Sequence, residues 1–489
     1  MSVRERFRTA LLGVPWVLGR LGVLDAEIGR EAFALALPVM VTGAFRVLLR
    51  FSDFLFVGLA LGDAAIAGLE LGFQYYFFGF GLSLALTSGT ISVVSRLQGA
   101  GESERANLAV KQSLWLSIAV SLPLTAITWI YATPLLRLLT NDPTTVAYGA
   151  AYLRIVMLSL VFRFWSMVAS RALAGSADTR TPMYVRLITL PTNVVLDAVL
   201  IFGLGPFPRL GVAGAAVGTA VANVLAGAVF FALVVRGDYA VTLRLRGPQF
   251  DASLLREIVR VAIPLAGMRL AQTIGRFPFL FILGIFGAPA IAAYAVSRRV
   301  MLFAMMPAWG YATAASTLVG QNLGAGDEED AADYGWQTMR LGLATQLVFA
   351  AVIFAFAEPV SRAFGTAHVQ LTVAFVRVFG LIVAGFSVSR TMRGSLRGAG
   401  DTRWPLYSTV VGTYLVQLPI AVLALPTSAA VAIPFGPTVS PGLGLGYPAV
   451  FASLIVSYYV RAAVNTGRFA TGRWRDVARA SGVGHANDD

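Results

Sequence analysis

The apolar run at residues 182–203 contains Pro191-Thr-Asn193-Val-Val-Leu-Asp197. Asn193 and Asp197 are four residues apart and so share one face of a helix. A second apolar run, 33–61, carries Arg46, Arg50 and Asp53, which fall on one helical stripe. Carboxylate and amide oxygens are hard ligands for a cation, and a buried carboxyl can also carry a proton. The plainer alternative is that these groups satisfy one another, with Arg50–Asp53 a buried pair that only holds helices together. Pro38 lies 15 residues before Asp53 and removes a backbone donor, which permits a bend. Glu70 and Gln74 form another i, i+4 polar pair, near the outer end of its run.

Composition fixes the setting for these groups. The 489 residues are 57% apolar and 13% charged, against about 25% charged in soluble domains, and the mean hydropathy is +0.73. The chain reads as an all-α integral membrane protein. It has no cysteine, which removes disulfide, thiol and Cys-ligated metal chemistry. His368 and His485 are too few for a His-rich metal site. The net charge of +13 does not point to nucleic acid, because the arginines gather at the ends of apolar runs rather than in basic tracts with interleaved aromatics.

Twelve apolar spans follow an Arg-rich segment, 1–30, which reads as cytoplasmic or interfacial with Trp16 as anchor. A polar linker, 236–256, divides them six and six. The expected organisation is a bundle at 31–235, a second at 257–465 and a cytoplasmic tail at 466–489. With both termini inside, inner segments hold 25 Lys and Arg and outer ones 3, a bias that orients the chain N-in and C-in.

The halves repeat. Leu37-Pro38 returns as Ile263-Pro264, Arg50-Phe51 as Arg276-Phe277, and Gly99-Ala100-Gly101 as Gly324-Ala325-Gly326. Gly175 to Pro182 returns as Gly398 to Pro405, sharing Asp-Thr-Arg before a proline, where Asp and Thr cap a helix and Arg anchors the inner surface. An even number of spans per half makes the repeat parallel, about an axis along the membrane normal, as in duplicated transporters. The halves differ in their acids. Asp53 aligns with Phe279, and Asn193 and Asp197 align with Val416 and Ile420.

In the sixth span, Gly214 and Gly218 form a small-residue face for close packing. The hydroxyl of Thr219 either joins a cation site or bonds back to its own helix.

These motifs together, above all Leu37-Pro38, Asp53-Phe-Leu-Phe-Val-Gly58, Asn193-x-x-x-Asp197 with Gly211-Val-Ala-Gly214-Ala-Ala, and Gly398-Ala-Gly-Asp-Thr402, resemble the multidrug and toxic compound extrusion (MATE) family over residues 31–465. The resemblance implies twelve helices in two homologous six-helix bundles and a cation or proton site at Asp53, Asn193, Asp197 and Thr219, with Na⁺ as a possible metal there. It also implies a bend at Pro38 that follows protonation. Two residues depart from the family pattern: Arg46 and Arg50 stand where neutral polar side chains are usual. A cation one turn from Asp53 works against its carrying a proton. Arg163, Arg269, Arg276 and Arg377 also lie inside spans, where they suit anionic cargo.

The expected function is H⁺- or Na⁺-driven export of small amphipathic compounds by alternating access, without further cofactors. The chain would act as a monomer in the plasma membrane. The rival within the superfamily is a flippase or exporter of anionic or lipid-linked cargo. A polytopic enzyme would need a catalytic cluster in the loops, and neither paired acids nor a histidine dyad occurs there.

Overall fold

The structure is a computed structural model describing residues 18–20, 22, 24–61, 63–138, 140, 142–244, 246–363, 368–428, 431–432, 438–439 and 442–480; side chains at 47–55 and a few other positions fall outside it. The chain is almost wholly helical, as a lipid environment requires when every backbone polar group must be satisfied internally. The first half contains α1 (Ala26–Leu61), α2 (Asp63–Gly99), α3 (Ser103–Arg137), α4 (Pro143–Leu158), α5 (Leu160–Gly175), α6 (Arg180–Phe202) and α7 (Val212–Arg236). The second contains α8 (Ala252–Ile285), α9 (Ala288–Gly324), α10 (Glu328–Ala355), the short α11 (Ala357–Ala363) and α12 (Val369–Gly398). It continues with α13 (Arg403–Val410), a π-helical turn (Val411–Gln417), α14 (Leu418–Leu423), α15 (Gly446–Ala470) and α16 (Trp474–Ala480). Two-residue strands, Val431–Ala432 and Thr438–Val439, pair in the loop before α15.

Among the described residues, nine helices are long and apolar enough to cross a membrane, and the α4–α5 pair makes ten. Helices α8 and α9 are equally long and carry Arg269 and Arg276, and Arg298 and Arg299, within them. The fourth expected span, 147–170, is not one helix. It breaks by 50° at Ser159, whose hydroxyl bonds the Val156 carbonyl and accepts from the Asn223 amide at 3.0 Å. Serine bonding to the preceding turn bends a helix without any proline to announce it.

Side chains at the helix ends account for several boundaries. Asp142 accepts the Thr145 N–H at 2.8 Å ahead of Pro143 in the first turn of α4, and Asp178 accepts from Arg180 and Thr181 at the start of α6. In the repeated motif the equivalent Asp401 holds Arg468 at 2.6 Å.

The described residues form two compact units, one of 38–263 with 320–327, the other of 264–319 and 328–480 with the described residues up to 37. The change of unit thus falls at Leu37/Pro38 and again at Ile263/Pro264, the repeated dipeptides, rather than within the linker 236–256. In the unit built from the first half, two apolar clusters lie around Leu97, Trp165 and Phe230, and around Tyr152, Leu153 and Phe164. The unit built from the second half has an aromatic core with Phe279, Tyr294, Phe375 and Phe379. Exposed Leu59, Phe277 and Leu415, each about 70% accessible, are the surface expected against lipid.

The repeated glycines have a packing reason. A Cβ on Gly99 would come within 1.8 Å of the Gln321 carbonyl, and one on Gly324 within 1.9 Å of the Arg96 carbonyl. Arg96 and Gln321 are themselves equivalent by the repeat offset, so the two motifs make one reciprocal backbone contact.

Candidate functional site

In the unit of the first half, α6 and α7 pack on each other at the expected residues. Asp197 is fully buried, and its Oδ1 lies where a Cβ on Gly218 would approach to 2.1 Å. One turn back along α6, the Asn193 amide is 3.5 Å from the Thr219 hydroxyl. Helical spacing puts 193 and 197 on one face, and the small residue at 218 lets that face close on α7. The structure therefore brings Asn193, Asp197 and Thr219 together. A carboxylate, an amide and a hydroxyl are all hard oxygen donors, which fits a proton or a small alkali cation. Among the described residues no cluster of three or more His, Cys, Asp or Glu exists that would suit a transition metal.

The side chains of Arg50 and Asp53 lie outside the described residues. Pro38 is inside α1, and Thr42 donates its hydroxyl to the Pro38 carbonyl at 2.8 Å. A missing N–H and a threonine bonded back one turn both weaken the local helical ladder. Arg46 and Arg163 are half-buried in this unit, and both lie in the electrostatic surroundings of the buried Arg186. Glu70 and Gln74 bond each other at 2.8 Å at exposed positions. Arg377 is exposed and does not line the cavity described next.

The unit of the second half holds a cavity of about 210 Å³, lined by Arg269 and Arg276 from α8, Arg298 from α9, Arg390 and Arg393 from α12, and Arg461 from α15. Phe279, the counterpart of Asp53, is in the same wall. The π-helical turn contributes Thr413 and Gln417, which accept from Arg461 at 3.0 and 3.3 Å. Such turns shift helical register and are frequent at functional sites. Arg461 fits because residue 412 is glycine: a Cβ there would meet its Cγ at 2.5 Å and its Nε at 2.6 Å.

Sequence reasoning missed Arg298, Arg390, Arg393 and Arg461. The last three were counted among inner-loop charges that set topology, yet they lie within helices, and Arg393 and Arg461 are only 8% and 7% exposed. A charge at mid-membrane costs about 2.5–3.5 kcal/mol in insertion experiments. The usable signal was repetition: Arg390, Arg393 and Arg397 are too many at one helix end for anchoring alone.

Fold and duplicated charged interiors define a multi-pass membrane transporter. The chain belongs to the MATE family: the MatE family model matches residues 38–199 and again 264–423, each match opening on one of the repeated prolines. The chain is 30% identical over 399 residues to a probable multidrug resistance protein NorM of Thermotoga maritima, covering 81% of this chain and 85% of that one. It is 27% identical over 361 residues to a FAD transporter of Shewanella oneidensis, covering 71% and 76%. A transporter of the MOP superfamily from Pyrococcus furiosus, for which a reverse polarity of the binding pocket suggests a different function, shares the fold. Its TM-score is 0.80 at 22% identity, over 93% of this chain and 97% of that one.

Proposed function

We propose that this protein is a secondary active exporter of small amphipathic organic compounds, driven by inward movement of H⁺ or Na⁺ through the first-half site. The observation that carries the reading is Asp197, a fully buried carboxylate inside a membrane bundle, packed on Gly218 beside Asn193 and Thr219. A buried intramembrane acid is conformationally expensive unless it binds something, and loading it with a cation neutralises it. In this reading Asp53 shares the ion, and the weakened helix at Pro38 responds to the change of charge. The carrier then presents its cargo to alternate sides, as duplicated transporters do. The relatives named for multidrug resistance support export as the direction. The protein would act as a monomer in the plasma membrane with both termini cytoplasmic, using no cofactor beyond the coupling ion.

A second reading, export or flipping of an anionic or lipid-linked compound, is favoured by the arginine cavity. Both readings share the coupling site and part on the charge of the cargo. Reconstituted protein should accumulate a probe against its gradient under an imposed proton or sodium gradient. Ethidium tests a cationic cargo and fluorescein an anionic one. Absence of a gradient effect on either dye, and on flavin mononucleotide, would remove the coupled-export reading.

A further inference from the structure

We infer that the arginine cavity of the second half is the cargo site, and that it takes an amphipathic organic anion through a phosphate or diphosphate group. The inference rests on the export reading above and names its substrate class. It starts from charge. Arg269, Arg276, Arg298, Arg390, Arg393 and Arg461 converge from four helices on one cavity, and among the described residues its lining holds no Asp or Glu. Arginine stays protonated in proteins, so these are fixed cations in a membrane interior.

An architectural role would require partners to hold. Intramembrane arginines ordinarily pair with acids or reach the interface. Arg393 donates to the sulfur of Met268 at 3.2 Å, a weak acceptor, and its buried Nε has no hydrogen-bond partner. Arg461 donates only to the neutral Thr413 and Gln417, and its buried Nε is likewise unpartnered. Each of these side chains is more than nine-tenths buried. The chain also makes room for this charge, with glycine at 412 against Arg461.

Three guanidiniums are held over ring faces: Arg298 on Tyr294 at 5.8 Å, Arg390 on Trp309 at 5.5 Å and Arg461 on Tyr458 at 5.0 Å. Stacking engages the guanidinium face rather than its N–H edge. Several forks need more oxygens and more charge than one carboxylate brings. A phosphate offers three oxygens and up to two charges, and accepts two forks at once. Met301, Leu302, Met305, Phe379 and Phe386 supply apolar wall for the rest of such a molecule. The phosphate can belong to a soluble ring compound or to a lipid.

Calorimetric titration of the purified full chain in detergent separates these sources and needs no transport. The paired probes are flavin mononucleotide against riboflavin, and phosphatidic acid against diacylglycerol. At least one phosphate probe should bind tenfold or more tightly than its phosphate-free partner. Preference confined to flavin mononucleotide indicates a soluble cargo, and preference for phosphatidic acid a lipid one. Arg393→Gln and Arg461→Gln should each weaken that binding at least tenfold, whereas Arg340→Gln, an exposed charge outside the cavity, leaves it unchanged. If a Gln variant does not fold, Arg461→Lys keeps the charge without the fork and should cost at least fivefold. Asp197→Asn should leave binding intact, so failure of coupling and failure of this inference are distinguishable. Equal affinity for both members of each pair, or binding indifferent to Arg393 and Arg461, would overturn the inference.

Discussion

Gly218 touches the carboxylate of Asp197 so closely that the helix–helix contact and the charged group are one feature. An added Cβ would stand 2.1 Å from Oδ1 and 3.1 Å from Cγ. Gly412 stands in the same relation to Arg461 in the other unit. Each half uses a missing side chain to seat a buried charge, negative in the first and positive in the second.

Gly218→Ala should therefore displace the Asp197 carboxylate. Overpacking of this kind costs about 1–3 kcal/mol, and coupled transport should fall at least tenfold. At Gly81 an added Cβ meets nothing within 4 Å, so Gly81→Ala is the control and should be tolerated. Thermal unfolding in detergent and transport in proteoliposomes read the two effects, and a fully active Gly218→Ala protein would contradict the packing argument.

The reciprocal contact of Gly99 and Gly324 predicts a larger defect. Here the added methyl meets backbone carbonyl oxygen at under 2 Å, which no rotamer change relieves. Gly99→Ala and Gly324→Ala should each lower the folded yield sharply, and by similar amounts, measured by size-exclusion profile after extraction. Gly101→Ala fails for another reason, since its φ of +74° is a conformation alanine resists.

Much of this was legible in the chain. The duplication shows because prolines and glycines mark positions where backbone geometry, not side-chain chemistry, is constrained. Asp197 shows because a carboxylate in an apolar run needs a reason. The arginine cavity did not show. Arg390, Arg393 and Arg461 sit one to three turns from helix ends, where topology also places arginine, and sequence distance does not say which way a side chain points. The π-helical turn at 411–417 was equally silent, although it turns Thr413 and Gln417 toward Arg461. The break at Ser159 has no proline or glycine to reveal it.

The linker carries a pH-dependent cap. Asp251 accepts the Ser253 hydroxyl at 2.6 Å and the N–H groups of Ser253 and Leu254, and these bonds hold its carboxyl below the usual carboxylate range. A carboxyl depressed on folding stabilises the folded state above its unfolded value, near 3.9, and loses that contribution as pH falls through its folded value. Asp251→Ala should cost about 1 kcal/mol at neutral pH. The difference should vanish in strong acid, read as amide exchange at Ser253 and Leu254.

Orientation is testable because the chain has no cysteine. Thiols introduced at Ser103 and Ser176 should react only after the inner face is exposed, and one at Thr140 should react from outside. Labelling of Ser176→Cys by an impermeant reagent in intact cells would reverse the assigned topology.

The central claim is that the first-half site couples an ion to export, and Asp197→Asn tests it most directly. The change is nearly isosteric and removes a buried charge, so expression should stay near normal. In proteoliposomes loaded with flavin mononucleotide, the variant should retain exchange down a cargo gradient yet show no response to an imposed proton or sodium gradient. Full gradient-driven transport by the Asp197→Asn protein would contradict the account.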